Sequence, residues 1–469
     1  MIQCYRYVTT ADIVLFGEIR NGRFTTNYII DNSIKELEEK IKLIQGYIME
    51  YAKGETDNSS SELLEENQQV ITKIHEGFAL AQDCIINELI SLNSQLELCK
   101  KDLKVANISR NKSLVKRINR EIANLKAKEN IFRKLADTIA WQFIQHHSTA
   151  RRLYLNQATN MIKNTNIESG IRFISYFNKN RQNFALLTDI TSFIQIGDVL
   201  CSDIDKDRER RQYLVELKEG DANYKVFRVL EGHDNDDKLD KKYLDQMQRI
   251  IKQGKKAVNA LSVIKKGSGV DALGDKVKII DNMDFEKEFF LDKINEILDC
   301  CEKYGHSTDI IDDCLYIGAY SANIPIKKAY LAFTTWIASL GISYPIMNYQ
   351  DAFGCELCIP FFMSNIDKSH IIDIALGKKI ILICLDIDKW INFGATIGLK
   401  GRWLSRKESN MLIKNHSGLF IHKKRILEVS LGGDVLQLGN GFIIRIYFEF
   451  LRPLSALEML KESIIRVYN

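Results

Sequence analysis

No stretch of this chain is long and apolar enough to read as a membrane span. IILICLDI, residues 380–387, is among the longest apolar runs, and a strand accounts for it. The opening MIQCYRYVTTADIVLF lacks the basic patch and apolar core of a secretory leader, so a cytoplasmic protein without a membrane partner is expected. Neither charge dominates: 65 Lys and Arg against 61 Asp and Glu leave +4, which points to no nucleic-acid partner by itself. A complete phosphate loop is also missing. VIKKGSGVDALGDKV, residues 263–277, has the glycines and lysines of a linker or phosphate-touching loop but not the nucleotide-binding spacing, so ATP is not indicated. Cys355-x-x-Cys358 has no second clean pair at zinc spacing, although Cys300, Cys301 and His306 lie upstream. The ten cysteines are therefore expected to be free thiols in a reducing compartment, with Cys355 and Cys358 as small buried residues.

What is present is a globular composition, 45% hydrophobic and 27% charged over 469 residues, enough for two or three domains with real cores. An N-terminal region, residues 1–135, opens with a strand or hairpin around Gly17 and the turn NGR. It turns helical at Ser33-x-x-Glu36, a capping-box spacing. The polar loop KGETDNSSS at 53–61 breaks that helix. From about Glu62, Ile71, Ile74, Phe78, Ala81, Ile85, Leu89, Leu92 and Leu96 recur at three and four spacing, the stripe of a helix buried against a partner. A turn near 105–113 and a return stripe of Ile118, Ile122, Leu125 and Leu135 predict a helical hairpin, a coiled-coil arm suited to a partner subunit or a second copy. Between residues 100 and 134 the arm is strongly basic, and Lys116, Arg117 and Arg120 are candidate contacts to a nucleic-acid backbone, the alternative being a solvated helix surface.

The second domain, residues 136–270, holds the chemistry. WQFIQHHSTARRLYL, residues 141–155, gathers His146, His147, Arg151 and Arg152. The two arginines are the candidates for gripping phosphate, and the histidines read as complements to a helix C-terminus. FIQIGDVL then carries Asp198 beside Gly197, a charged loop SDIDKDRERR follows, and QYLVELK carries Glu216 and Lys218. In a strand, residues two apart share a face, so Glu216 and Lys218 project together while Val215 and Leu217 bury. A hairpin would bring Asp198 beside Glu216, and two converging carboxylates repel unless a hard cation such as Mg²⁺, or Mn²⁺, lies between them. Downstream, KLDKKYLDQMQRIIKQGKKA places Gln246 on the helical stripe of Leu239, Tyr243 and Ile250, with Arg249 near it.

This order of strand, Asp strand, Glu-x-Lys strand and Gln-x-x-Arg helix resembles the PD-(D/E)xK, or restriction-endonuclease-like, nuclease superfamily over roughly 65 residues. The resemblance implies a small mixed sheet with flanking helices. It casts Asp198, Glu216, Lys218, Gln246 and Arg249 as catalytic, with Asp198 and Glu216 as the metal ligands, and DNA as substrate in a restriction or antiviral-defence setting. Gly197 stands where the family name has proline, and the acid of the first helix is unassigned, with Glu168 and Asp189 as the candidates.

A third domain, residues 285–469, alternates helix and strand through FFLDKINEILDCCEKY, CLYIGAY, IKKAYLAFTTWIASL, IILICLDI, LFIHKKRILEVSL and FIIRIYFEFL, with a last helix after Pro453. Its GLKGRWLSRKES segment, with Lys400, Arg402, Trp403, Arg406 and Lys407, reads as an exposed charged loop. The fold expected overall is α/β and α+β in several domains: helical arm, central mixed sheet, C-terminal α+β module. The function expected is a Mg²⁺-dependent DNA endonuclease. The alternatives are a non-catalytic nucleic-acid-binding or interaction protein on a degenerate nuclease fold, and an RNA-directed nuclease toxin.

Overall fold

The computed structural model describes residues 34–49, 63–144, 150–154, 164–204, 210–217, 241–271, 274, 276–278, 286–355, 358–415 and 418–468. The expected N-terminal strand, the 53–61 loop, His146, His147, Lys218 and Leu239 lie outside them.

Apolar periodicity sets the helices of the first third. Helices α1 (Ile34–Met49), α2 (Leu63–Ile108) and α3 (Lys112–Phe143) bury one stripe each: Ile41 and Ile44 on α1, Phe78, Ala81, Ile85, Leu89, Leu92 and Leu96 on α2, and Ile118, Leu125 and Leu135 on α3. The turn between α2 and α3 is tight. Arg110 takes φ 54°, Asn111 N–H donates to Ala106 O at 3.1 Å, and the Asn111 side chain caps α3 by accepting Leu114 N–H at 3.1 Å. The basic run is not one surface: Lys116, Arg117 and Arg120 are exposed, but Arg133 and Lys134 are buried. Lys134 Nζ donates to Asp137 Oδ2 at 3.0 Å and to Cys355 O at 2.8 Å, so its charge supports the fold.

By backbone contacts the described residues separate into two units, one within Ile44–Asn93 and Gln142–Ile279, the other within 34–43, Ser94–Trp141 and Ile280–Asn469. In the first unit α4 (Asn164–Phe177) precedes an antiparallel sheet of β1 (Phe184–Leu187), β2 (Val199–Ile204) and β3 (Arg210–Val215), in that order. The described strands of the chain all pair antiparallel, where a mixed central sheet was expected. β1 is buried at all four positions, and Phe184 packs on Phe78 at 5.5 Å and Phe143 at 5.2 Å. Its open edge is closed by side chains. Gln82, fully buried on α2, donates to Ala185 O at 3.0 Å and accepts Leu187 N–H at 2.8 Å, standing in for a fourth strand.

Three boundaries differ from expectation. The run LLTDITSF, which its apolar residues suggest as one strand around Asp189, is strand only to Leu187, then turns through 188–190, where Thr188 donates its N–H to Asp198 O and its hydroxyl to Gly197 O. Part of the charged loop is strand: Asp203 on β2 takes Arg211 in a bidentate pair at 3.1 and 3.2 Å and accepts the Tyr213 hydroxyl at 3.1 Å, which burial and this bond push up to about 12. Residues 263–277 are not a linker. Helix α5 (Lys241–Lys266) runs into a hairpin of β4 (Ser268–Val270) and β5 (Lys276–Lys278), with Gly267 at φ 70° ending the helix.

The second unit is built on a four-stranded sheet ordered β6 (His306–Ile311), β7 (Leu315–Ser321), β9 (Lys379–Leu385) and β8 (Met347–Asn348). β9 is buried at every residue, which explains its unbroken apolar sequence. Helices α6 (Leu291–Tyr304) and α7 (Ile326–Ser339) cover the sheet, and Gly318 lets Phe333 onto β7, since a Cβ there would meet Phe333 at 2.7 Å. After α8 (Lys368–Ala375) and α9 (Ile387–Phe393), a small sheet of β10 (Lys400–Trp403), β11 (Ile421–His422), β12 (Arg425–Leu431) and β13 (Asp434–Gln437) carries α10 (Arg406–Asn415). FIIRIYFEFL, expected as a strand, instead lies largely in α11 (Asn440–Phe448). Ile443, Ile444, Ile446, Tyr447 and Phe448 are all buried, and a helix apolar at nearly every position has no clear period to distinguish it from a core strand. Pro453 opens the last helix, α12 (Pro453–Tyr468), at the position where its missing N–H costs nothing.

Candidate functional site

Asp198 ends the β2–β3 pairing from both sides. Its N–H donates to Val215 O at 2.8 Å, and its Oδ2 accepts Leu217 N–H at 2.6 Å, which leaves Glu216 as the residue between the two contacts. The close approach depends on Gly197: at φ 73° it takes a left-handed turn, and a Cβ there would meet Leu214 Cβ at 3.1 Å and Val215 O at 3.3 Å. Position 197 therefore requires glycine for a local reason. Asp198 is half-buried and Glu216 exposed.

Glu216 is not inside a strand, as the alternation suggested. β3 stops at Val215, because the Asp198 carboxylate takes the Leu217 N–H that continued pairing would have used. Two carboxylate residues nevertheless adjoin at this strand end, and their hard oxygens, with no thiol or imidazole in the pair, fit Mg²⁺ or Mn²⁺.

The other expected residues divide. Gln246 and Arg249 are both on α5, where Arg249 is exposed with Lys252 and Lys255, a solvent-facing cationic row in the same unit as Asp198. Arg151 and Arg152 form a 3₁₀ turn with Leu153, which lies against α5. Arg151 is half-buried there. Of the two candidates for the further acid, Glu168 is exposed on α4 and Asp189 half-buried after β1. Lys116, Arg117 and Arg120 belong to the other unit, exposed on α3 and without an ion pair among the described residues.

Another metal-like grouping lies in the second unit, and sequence reasoning missed it. Asp299, Asp367 and His370 bring a ligand atom each within 4.8 Å of one another. His370 is buried, its Nε2 is 2.9 Å from Asp299 Oδ1, and its Nδ1 is 2.7 Å from Lys379 Nζ. Lys379, also buried, is ion-paired to Glu302 at 2.9 Å and Asp373 at 3.3 Å. An ammonium donating to Nδ1 fixes the imidazole proton on Nε2, aimed at Asp299. A metal-bound histidine instead needs its second nitrogen to donate to an acceptor. The arrangement is therefore a chain of polar contacts, exposed Glu302 and half-buried Asp373 to buried Lys379 to buried His370 to exposed Asp299. The only signals in sequence were a lysine beginning an otherwise apolar strand and a histidine in an apolar helix.

Cys355 and Cys358 are buried, with Cys358 Sγ donating to Cys355 O at 3.3 Å, and no cysteine joins a metal-like group among the described residues. Trp403 and its basic neighbours do not form a plain exposed loop. Lys400, Arg402 and Trp403 lie on β10 and Arg406 and Lys407 open α10, and Arg402 is ion-paired to Glu428 at 2.6 Å and Glu408 at 3.7 Å. No helix among the described residues is long and apolar enough to cross a membrane. Compared with known proteins, the chain matches no family model, no curated protein and no solved structure.

Proposed function

We propose that the chain is a Mg²⁺-dependent nuclease hydrolysing DNA phosphodiester bonds in a defence setting, with Asp198 and Glu216 at its centre. The observation that carries this reading is the Asp198 clamp, whose two contacts at 2.8 and 2.6 Å hold Glu216 beside a half-buried carboxylate at one strand end. Asp198 and Glu216 would hold the ion. When bound, the ion polarises the scissile phosphate and lowers the pKa of an attacking water. Lys218, two residues beyond Glu216, is assigned to the attacking water, and Gln246 to orienting the site. Arg249, with Lys252 and Lys255 along the exposed row of α5, offsets phosphate charge, as does Arg151 on the turn against that helix. The exposed arm residues Lys116, Arg117 and Arg120 would add sequence-independent affinity.

The test is cleavage of plasmid, single-stranded DNA and RNA by the purified full chain with Mg²⁺ or Mn²⁺, against Glu216→Gln and Lys218→Ala. Loss of metal-dependent DNA cleavage in both folded variants is expected. Equal cleavage by wild type and variants would overturn the assignment, and cleavage of RNA alone would redirect it to an RNA-directed toxin. One observation favours the second reading, a binding protein on a degenerate site: the Leu217 bond by itself accounts for Asp198 as a strand cap. That reading predicts nucleic-acid binding indifferent to metal and no cleavage.

A further inference from the structure

The second unit contains a cleft of about 520 Å³ that the nuclease reading leaves unused, in the size range of small-molecule sites. One wall is aromatic: the Tyr344 and His422 rings are 4.8 Å apart, and His422 and Trp403 are 5.9 Å apart. These three rings are half-buried and line the opening. Asp388 orients two of them, accepting Trp403 Nε1–H at 2.8 Å and the Tyr344 hydroxyl.

The lining also holds three cations, Lys389, Lys423 and Arg425, against two acids, Asp386 and Asp388. Among the described residues none of the three has a carboxylate ion pair and Lys389 makes no side-chain bond; Lys423 donates to Ser343 Oγ at 3.0 Å, and Arg425 donates to Trp403 O at 2.7 Å and Leu404 O at 2.8 Å. The two acids are already engaged, Asp388 as above and Asp386 by capping α9 through Lys389 N–H at 3.1 Å. The hairpin presenting these groups is itself unusual. His422 pairs with Arg425, so Lys423 and Lys424 form a two-residue turn, both at left-handed φ of 48° and 64°, where glycine or asparagine is the ordinary choice. Lysines held there against preference point to a role at the cleft mouth.

The geometry points to a nucleotide-binding site, with a base against Tyr344, His422 and Trp403 and its phosphate on Lys389, Lys423 and Arg425. Stacking rings supply affinity for any base, and three cations that outnumber the two carboxylates and have no ion pair with them supply it for the phosphate. This site is independent of Asp198 and Glu216, and the nucleotide is either free or the end of a single strand.

The experiment is calorimetric titration of the purified full chain with AMP, with a 5′-phosphorylated ten-nucleotide oligothymidine, and with adenosine and inorganic phosphate as controls. At least one phosphorylated nucleotide probe should bind, more tightly than adenosine or phosphate. Binding of AMP identifies a free nucleotide, and binding of the oligonucleotide alone identifies a strand end. Lys389→Glu and Lys423→Glu, both at exposed positions, should each weaken binding about tenfold or more, as should Trp403→Ala. Glu216→Gln should leave this affinity unchanged, which separates the site from the nuclease reading. Should neither nucleotide bind, phosphate bind as tightly as the nucleotides, or the two lysine variants bind like wild type, the inference is overturned.

Discussion

Substituting Asp198 separates its two roles, because asparagine keeps the shape and one carbonyl oxygen while removing the charge. In Asp198→Asn the amide oxygen still accepts Leu217 N–H, now at the 2.6 Å position of the carboxylate oxygen. A charge-assisted bond is worth roughly twice a neutral one, so the fold should lose about 1 kcal/mol, a fall of about 2–4 °C in Tm for a unit of this size. Asp198→Ala removes the acceptor altogether and strands the Leu217 N–H, at a cost of about 1–3 kcal/mol. Cation binding has a different dependence: it needs the charge, and a neutral amide beside Glu216 no longer attracts Mg²⁺ as a carboxylate does. Even partners one layer behind a metal ligand are worth about 10–100-fold, so Asp198→Asn should reduce Mg²⁺-dependent cleavage by about two orders of magnitude or more. The assay is plasmid cleavage alongside thermal unfolding, with Asp299→Asn as a control that leaves cleavage intact. A folded Asp198→Asn chain that cuts like wild type would refute the argument, since Asp198 would then be a strand cap and nothing more.

Other substitutions probe the scaffold. Gln82→Leu should destabilise the first unit by about 2–4 kcal/mol in denaturant unfolding, because Ala185 O and Leu187 N–H on β1 both lose their glutamine partner; a loss below about 0.5 kcal/mol would show that the edge finds other partners. Lys379→Met should cost about 1–3 kcal/mol by leaving His370 Nδ1 without its donor, and unchanged unfolding would show that the chain of contacts carries no stability. Burial and Lys423 lower the His422 pKa, with Asp388 opposing them. The unfolded imidazole titrates near about 6.5, so below that the unfolded chain holds more protons than the folded one, and stability should fall as pH drops from 7 toward 5. Comparing Tm over that range in wild type and His422→Gln should show a shallower slope in the variant; identical slopes would refute a depressed His422.

The sequence was most readable where one face of an element meets the core and the other meets water. The α2 and α3 stripes have this property, and Phe78, Ala81, Ile85, Leu89, Ile118 and Leu125 are buried as their spacing requires. Alternation failed at Glu216 for a reason that lies in another strand. β3 ends where the Asp198 side chain takes the backbone donor, and nothing between residues 210 and 218 reveals that competitor. FIIRIYFEFL failed differently, since burial on nearly every side erases the period from which helix and strand are told apart. Charge was misleading in the same non-local way: Arg133 and Lys134 sit in a basic run but are buried, and Lys134 is aimed at a carbonyl 221 positions away.

The same principle explains why the Asp198–Glu216 pair was legible and the cleft was not. A hairpin brings near neighbours in sequence together, so a short motif can encode the pair, and only the clamp geometry had to be added. Tyr344, Asp388, Trp403 and His422 come from four separate segments, joined because Asp388 holds Trp403 and Tyr344 while the β11–β12 turn carries His422 against their rings. No local pattern could link these residues. Their left-handed lysine turn was visible only as Lys-Lys between two short apolar runs, a dipeptide that ordinarily marks solvent. A site dispersed in this way is recognised from the fold alone: three cations without an ion pair among the described residues, beside an aromatic wall. The proposed site at Asp198 is of the opposite kind, with Asp198 and Glu216 neighbours at the end of β3. A cation site is thus proposed in the first unit and a nucleotide site in the second. Asp198→Asn and Lys423→Glu perturb them separately, so each can fail without the other.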